Sequence, residues 1–305
     1  MSLQVNISES RGDSRAAVAA HLAVHDCEAL LLLEVDGIGA GPSVLLNAAF
    51  GALSASLASP ITGSSHRWLD AALLAANIAV CEAAARNPSM SGMLVSASAA
   101  VCRKGQANYA SVGANGVFLR TASSTVTLAS PENVAHRLGR SDPAGIAQAP
   151  RDERLRKPVA GLGLSPQLFE VRQSGSVDLA DGDEIVLCGA AVMDHITLAH
   201  LESIPARGAS YNTAHRIHRF VESRLSAGSA VLSARFKPAA SLPAADDILI
   251  ESVSEPRSRK RLVVIALLLL GAVAVSLALF FGHGEDSAPP PAVPPDLQLA
   301  PKRGP

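Results

Sequence analysis

Hydrophobic residues along the chain fall into short runs typical of β-strands and into longer periodic stretches typical of helices. The strand signals cover residues 29–36, 92–102, 116–120, 124–129, 183–188 and 246–253. The helical stretches cover residues 42–58, 66–87, 190–202 and 213–228. Strand signals follow one another without a long helix between residues 92 and 188. Such clustering favours an α+β layer arrangement over a regular alternation of strands and helices.

One hydrophobic stretch, residues 262–281 (LVVIALLLLGAVAVSLALFF), contains no charged residue. It has the length of a helix that crosses a bilayer, so we predict a single transmembrane helix here, with a buried core helix as the alternative. The basic cluster RSRKR, residues 257–261, stands immediately before it. Because positive charge stays on the cytoplasmic side, we expect residues 1–261 to be cytoplasmic and the C-terminal tail to be extracytoplasmic.

The tail after this stretch, residues 282–305, is rich in proline, which favours an extended, solvated chain. It would act as a spacer or as a binding tail. The predicted organisation is therefore a soluble domain, residues 1–253, followed by three short segments. The segments are a basic juxtamembrane linker at 254–261, the membrane helix at 262–281 and the extracytoplasmic tail at 282–305. The alanine-rich composition beside a single span suggests the inner membrane of a bacterium.

Charge and composition exclude several classes of function. Lys and Arg total 26 against 27 Asp and Glu, and only 3% of residues are aromatic. Without a basic surplus or stacking side chains, we expect no nucleic-acid partner. The four cysteines show no CxxC spacing, which indicates reduced, buried thiols. His215 and His218 share a helical face, but the sequence around them offers no further metal ligand.

Candidate chemistry begins where the first strand signal ends at Asp36 and the chain turns through the glycine-rich segment DGIGAGPS. The glycine spacing is GxGxG rather than GxGxxG, and no acidic residue follows near 57–60, so the segment is not a convincing dinucleotide fingerprint. A carboxylate followed by a glycine carbonyl is instead a pair of oxygen donors that hard divalent cations prefer. Asp36 and Gly37 are therefore candidate metal ligands.

The same residues resemble the VADGMGG signature of the protein phosphatase 2C family, the PPM-type, metal-dependent Ser/Thr phosphatases. Other segments are similar to the motifs of that family, in the same order. They are SRAAVAAHLAVHDCEALLLLEVDG (14–37), SMSGMLVSASAAV (89–101), YASVGANGVFLR (109–120), SVDLADGDEIVLCGAAVMDHI (176–196) and AADDILIESV (244–253). The resemblance covers about residues 12–253. It implies a four-layer α-β-β-α sandwich with two central antiparallel sheets.

The resemblance also implies a site in which two Mn²⁺ or Mg²⁺ ions activate water for hydrolysis of phosphoserine or phosphothreonine. Three positions of the motifs are kept, namely Asp36, Gly37 and Asp246, with Asp247 in the place of the motif asparagine. Arg15 falls at the phosphate-binding arginine. Three aspartates of the family are replaced: the opening NxD residue by Ala20, the GDSR residue by Ala114 and the SDG residue by Ala190.

These replacements limit what the site can do, because alanine supplies no oxygen ligand. The remaining donors suffice for at most one weakly bound Mn²⁺ or Mg²⁺ ion. Glu34 lies two residues before Asp36 and points to the same face of the strand. It is a candidate substitute ligand, and the alternatives are an arginine partner or a position near the surface.

The leading hypothesis is a membrane-anchored pseudophosphatase that binds a Ser/Thr kinase, a phosphoprotein or a membrane assembly. The alternative is an active phosphatase with a rearranged metal site built from Glu34, Asp36, Asp246 and Asp247. A third reading treats the cytoplasmic domain as an anchor for the proline-rich tail.

Overall fold

The computed structural model describes the larger part of the chain up to Lys237. The described ranges are residues 2–10, 15–36, 41–60, 64–134, 157–166, 173–204, 212–225 and 228–237. All of them belong to one compact unit, Met1–Leu242, and residues Pro243–Pro305 form a second unit that lies outside the description. The predicted strand at 246–253, the membrane helix at 262–281 and the tail therefore stay predictions.

Two five-stranded antiparallel sheets form the centre of the first unit. The first sheet has the order β2-β3-β4-β5-β8. Its strands are β2 (Arg15–Val24), β3 (Cys27–Asp36), β4 (Val95–Arg103), β5 (Gln106–Val112) and β8 (Gln173–Asp178). The second sheet has the order β1-β10-β9-β6-β7. Its strands are β1 (Ser2–Ser10), β6 (Gly116–Arg120), β7 (Thr125–Ala129), β9 (Glu184–Cys188) and β10 (Ser229–Lys237).

Helices cover the outer face of each sheet. Helices α1 (Gly41–Ala58) and α2 (Ser65–Arg86), followed by a 3₁₀ turn at Pro88–Met90, pack on the first sheet through one hydrophobic cluster. Helices α3 (Ala190–Met193), α4 (Leu198–Ser203) and α5 (Thr213–Glu222) pack on the second sheet through another. The arrangement is the four-layer α-β-β-α sandwich that the family resemblance implied.

Strand β3 shows why a continuous run of leucines forms the centre of the fold. Leu31 and Leu33 point to α1 and α2, whereas Leu30 and Leu32 point to the second sheet. All four side chains are fully buried. A strand that is buried on both faces needs apolar residues at every position, because successive side chains alternate between the faces.

Helices α1 and α2 are also long and apolar enough to cross a membrane by length and composition. In the structure their apolar sides, including Leu53 and Leu73, are buried against the first sheet, as expected for core helices.

The sequence-based elements need two corrections: the predicted strand signals do not cover β1, β2, β5, β8 or β10, and one predicted helix is divided. The helix predicted at residues 190–202 is two short helices, α3 and α4, separated at Asp194–Thr197. Thr197 starts α4 as its N-cap, where its hydroxyl accepts the N–H of His200. A new N-cap interrupts a helix because its backbone is extended rather than helical.

Candidate metal centre

The end of β3 is where the sequence places its metal ligands. Asp36 is the last residue of the strand, and the β2–β3 register sets it opposite Arg15. The backbone thus brings together the candidate metal ligand and the candidate phosphate-binding arginine. The side chains of both residues, and the whole of Gly37, Asp246 and Asp247, lie outside the described part of the structure.

Glu34 is buried inside the sandwich beside this strand end. It belongs to the face of β3 that carries Leu32 and faces the second sheet, and only 2% of the residue is exposed. Its Oε1 accepts a hydrogen bond from the backbone N–H of Ala191 at 2.9 Å. The carboxylate is therefore not near the surface, which was one of the sequence-based alternatives.

Gly189 makes room for this carboxylate. A Cβ atom at residue 189 would overlap Oε2 of Glu34, so any side chain here would displace the acid. The backbone N–H of Gly189 donates to the carbonyl of Ala230 at 3.0 Å, which holds the segment against β10. The family motif CSDG has serine at this position and VADG has valine at that of Glu34. The two differences are sterically linked in this chain.

Asn115 is the second buried polar side chain at the same place, with no exposed surface. Its Nδ2 donates to the carbonyl of Leu32 at 3.2 Å, and its Oδ1 accepts the N–H of Ala190 at 3.1 Å. Asn115 and Glu34 therefore accept from the first two backbone N–H groups of α3. These N–H groups have no partner within a helix, so side-chain acceptors stabilise them.

The GANG turn, residues 113–116, packs tightly against β4. The backbone N–H of Ala114 donates to the Ser96 hydroxyl at 3.0 Å. Gly113 has a φ of +96°, and a Cβ there would overlap Ser96. Ser96 is paired with Glu34 in the β3–β4 register. Ala114 and Ala190, which the sequence places at two aspartates of the motifs, thus each donate a backbone N–H to a buried polar side chain, Ala114 to Ser96 and Ala190 to Asn115.

Ala20 occupies a different place from these residues. The register sets Ala20 opposite Leu31, five pairs from the Arg15–Asp36 pair. Its side chain packs on the cluster under α1 and α2, not on the cluster between the sheets. The structure therefore does not bring Ala20 to the end of β3. Ala17 is the β2 residue that faces Glu34.

The donor set in the described part does not suit a pair of hard cations. No group of three His, Cys, Asp or Glu side chains in these ranges could hold a metal ion. The side chains of Ala114 and Ala190 carry no oxygen, and Oε1 of Glu34 accepts the N–H of Ala191. The cysteine beside Gly189 does not add an anionic ligand either, because complete burial raises the pKa of Cys188 well above its usual value.

Sequence reasoning found Glu34 but missed Asn115, Gly189 and Ser96. The signal for two of them was present in the motifs, since GANG has asparagine where GDSR has serine, and CGAA has glycine where CSDG has serine. The sequence does not show that these residues lie near Glu34, because they belong to strand ends that are far apart in the chain.

No protein-family model matches the sequence, and no curated protein matches it either. Solved structures do match the fold. The serine/threonine phosphatase PstP/Ppp of Mycobacterium tuberculosis superposes with a TM-score of 0.64 at 18% identity, over 77% of this chain and 99% of that one. A structure of the catalytic domain of PstP is in complex with two manganese ions.

Two further bacterial proteins are similar to the chain in the same way. The serine/threonine phosphatase Stp1 of Staphylococcus aureus gives a TM-score of 0.66 at 13% identity, covering 78% of this chain and 96% of that one. PppA of Pseudomonas aeruginosa, described as a key regulatory component of T6SS, gives 0.60 at 15% identity, covering 76% and 97%. The chain therefore has the fold of the PPM-type Ser/Thr phosphatases, as the sequence motifs indicated.

Proposed function

We propose that this chain is a membrane-anchored, phosphatase-like module with little or no catalysis, a pseudophosphatase that binds a Ser/Thr kinase or a phosphoprotein at the cytoplasmic face. One observation carries the proposal. Glu34 and Asn115 cap the backbone of Ala190 and Ala191, where the family motif has the metal-binding aspartate of SDG. Side chains of the chain itself therefore accept the backbone N–H groups of the segment that the motif uses for metal binding.

The loss of oxygen donors bounds the remaining activity. Removing one well-placed electrostatic group typically lowers a rate by about 10²–10³-fold. Ala114 and Ala190 remove two such groups, and because groups that act on one bridged pair are not additive, their combined loss leaves little turnover. Asp36, Gly37 and Asp246 would hold at most one weakly bound ion.

The alternative is a phosphatase with a rearranged metal site, and the Arg15–Asp36 register pair is the observation that favours it. In that case the carboxylate of Glu34 would bind a metal ion shared with Asp36, Asp246 and Asp247. The hydrogen bond from Ala191 to Oε1 of Glu34 argues against this role, because it already takes up part of the acceptor capacity of the carboxylate.

The test is hydrolysis of a phosphothreonine peptide by the full chain, purified in a mild detergent and supplied with excess Mn²⁺. Asp36→Ala is the inactive reference, and PstP assayed in parallel shows that the substrate and metal are adequate. We expect the chain and Asp36→Ala to release phosphate at the same background rate. Release well above the Asp36→Ala rate would establish the rearranged-site phosphatase instead.

Partner choice at the membrane follows from the proposed anchor. A cytoplasmic domain tethered by residues 262–281 meets membrane-bound kinases and their phosphorylated substrates at a raised local concentration. PppA is described as a key regulatory component of T6SS, and together with the proposed anchor this motivates a membrane assembly as a further kind of partner for this chain.

A further inference from the structure

A cavity of about 310 Å³ opens between α4 and α5, on the outer face of the second sheet. Its floor is apolar, since Leu201 and Ile217 are each 1% exposed and Ile196 is 7% exposed. Phe220, which is 43% exposed, forms one wall. An exposed aromatic ring beside a concave apolar floor is typical of a site that receives a large apolar side chain.

The rim of this cavity, which we call the α4–α5 groove, is basic. Arg216 and Arg219 line it, together with His200 and Ser203, and none of the described residues that line it is a carboxylate. The guanidinium of Arg224 lies 5.4 Å from the centre of the Phe220 ring. Glu202 and Glu222, the acidic residues of the two helices, do not line the groove. The charge that complements this rim is negative.

The groove is held open by its own structure. The rings of His200 and Phe220 contact each other at a tilt of 44°, with centroids 4.7 Å apart, and Nδ1 of His200 accepts the N–H of Thr197 at 3.1 Å. Below them, the buried guanidinium of Arg120 donates to the hydroxyl of Thr213 at 3.1 Å and to the carbonyl of Ile204. Because both helices are fixed to the sheet, a ligand meets a preformed site and little ordering is needed on binding.

We propose that the α4–α5 groove binds an acidic peptide segment of a partner protein, with one large apolar side chain on the floor and a carboxylate against Arg219. The cavity holds about one such side chain, and the arginines stand at the rim, where the flanks of a bound peptide run. Residues 205–211 (PARGASY), which link the two helices, carry an arginine and no acid, so they lack the complementary charge. The inference is independent of whether the chain hydrolyses phosphate.

The test uses the full chain in a mild detergent and a fluorescent synthetic peptide with a Leu-Phe pair flanked by glutamates. The same peptide with lysines in place of the glutamates is the charge control. We expect saturable binding of the glutamate peptide that weakens with salt, and no binding of the lysine peptide up to about 1 mM.

Two surface variants test the groove itself. Arg219→Glu should weaken binding of the glutamate peptide about tenfold, since it turns attraction at the rim into repulsion. Phe220→Ala should weaken it by a similar or larger factor, since it removes the apolar wall. The matched controls lie on α2, in the opposite helix layer: Arg86→Glu, at an exposed arginine, and Ile78→Ala, at an apolar side chain 44% exposed. Neither control should change the affinity.

Several results would overturn the inference. They are failure of the glutamate peptide to bind the unaltered chain, equal binding of the lysine peptide, and equal loss in the α2 controls. Binding to vesicles of anionic lipid that depends on Arg219 and Phe220, without peptide binding, would assign the groove to a membrane surface instead. Thermal unfolding of each variant establishes that the fold is kept.

Discussion

Glu34 and Gly189 depend on each other at the centre of the molecule. The carboxylate needs the space that a glycine leaves, and the N–H of Ala191 needs the carboxylate. A buried charge or polar group is tolerated when its hydrogen bonds are made, and it becomes costly when a partner is removed. The acid therefore acts here as a structural element that stabilises the first turn of α3.

The dependence predicts a pairwise coupling in stability. Gly189→Ala should lower the free energy of unfolding by about 1–3 kcal/mol through overpacking. Glu34→Val should lower it by about 1–3 kcal/mol, because a buried N–H loses its acceptor. The double variant should be more stable than the sum predicts by about 1 kcal/mol, since valine removes the atom that residue 189 overlaps. Urea unfolding measures all three, and strict additivity would contradict the contact.

His218 gives a second prediction at the scale of one residue. Its ring is hydrogen-bonded to Ser8 at 3.0 Å and to Ser229 at 3.1 Å. Burial lowers the pKa of His218, and nearby His215 acts in the same direction whereas Glu222 opposes it. On acidification the imidazole of His218 is therefore protonated in the unfolded chain before it is protonated in the folded chain. The contribution of neutral His218 to the free energy of unfolding is fully present above about pH 6.5 and is lost as the pH falls below that value.

The measurement is the free energy of unfolding against pH for the unaltered chain and for His218→Gln. The glutamine variant should show a shallower decline on acidification, because the buried titrating group is gone. The matched control is His66→Gln, which makes the same substitution at a partly exposed histidine on α2, where the ring lies 3.5 Å from Asp70 and away from Ser8 and Ser229. An unchanged slope in His218→Gln would show that His218 is not responsible.

At the scale of elements, Arg120 fastens the ends of α4 and α5 to the second sheet. Its Nη1 donates to Glu184 of β9 at 3.1 Å, and the two side chains are 3% and 2% exposed. Glu184 also accepts from Thr213 at 2.8 Å and lies 3.6 Å from Arg235. Removing one partner of such a network leaves the other charge buried.

Arg120→Met should therefore lower the free energy of unfolding by about 3–5 kcal/mol. Arg103→Met is the control, because Arg103 forms an ion pair with Asp26 at 2.7 Å at a far more exposed site. An exposed pair contributes little to stability, because solvent screens the attraction between its charges. Urea unfolding of both variants distinguishes the two cases. Similar small losses would mean that Arg120 does not hold the helix ends.

The sequence predicted those elements whose own residues are strongly apolar. The strand signal at 29–36 became β3, and the helical stretches at 42–58 and 66–87 became α1 and α2. Strands rich in serine, alanine and polar residues, such as β1, β8 and β10, gave no usable signal. They are stabilised by pairing with distant strands, for example β1 with β10, and local hydrophobicity does not report such pairing.

The sequence predicted those residues of the candidate metal centre that lie within recognisable motifs. The family resemblance located Asp36, Ala114 and Ala190, but it could not reveal that Asn115 and Gly189 meet Glu34. The assignment of Ala20 depended on counting residues from Arg15 without a fixed landmark. The register of β2 shows that this count leads to the helix-facing side of the strand.

For the whole molecule, the predicted anchor can be tested by topology. A reporter that is active only outside the cytoplasm should be active when fused after residue 305 and inactive when fused after residue 256. Removing the charges of RSRKR, residues 257–261, should weaken this preference, because the basic cluster sets the orientation. Recovery of the full chain in the soluble fraction after cell lysis would contradict a membrane span at 262–281.

Titration of the full chain with Mn²⁺, followed by calorimetry and with Asp36→Ala as the reference, tests most directly whether the metal centre has been lost. If Glu34 and Asn115 fill the place of the missing aspartate, the chain binds no pair of ions, and any single weak site disappears in Asp36→Ala. Two ions bound per chain, both lost in Asp36→Ala, would mean that a working metal pair persists and that the account of a filled site is wrong.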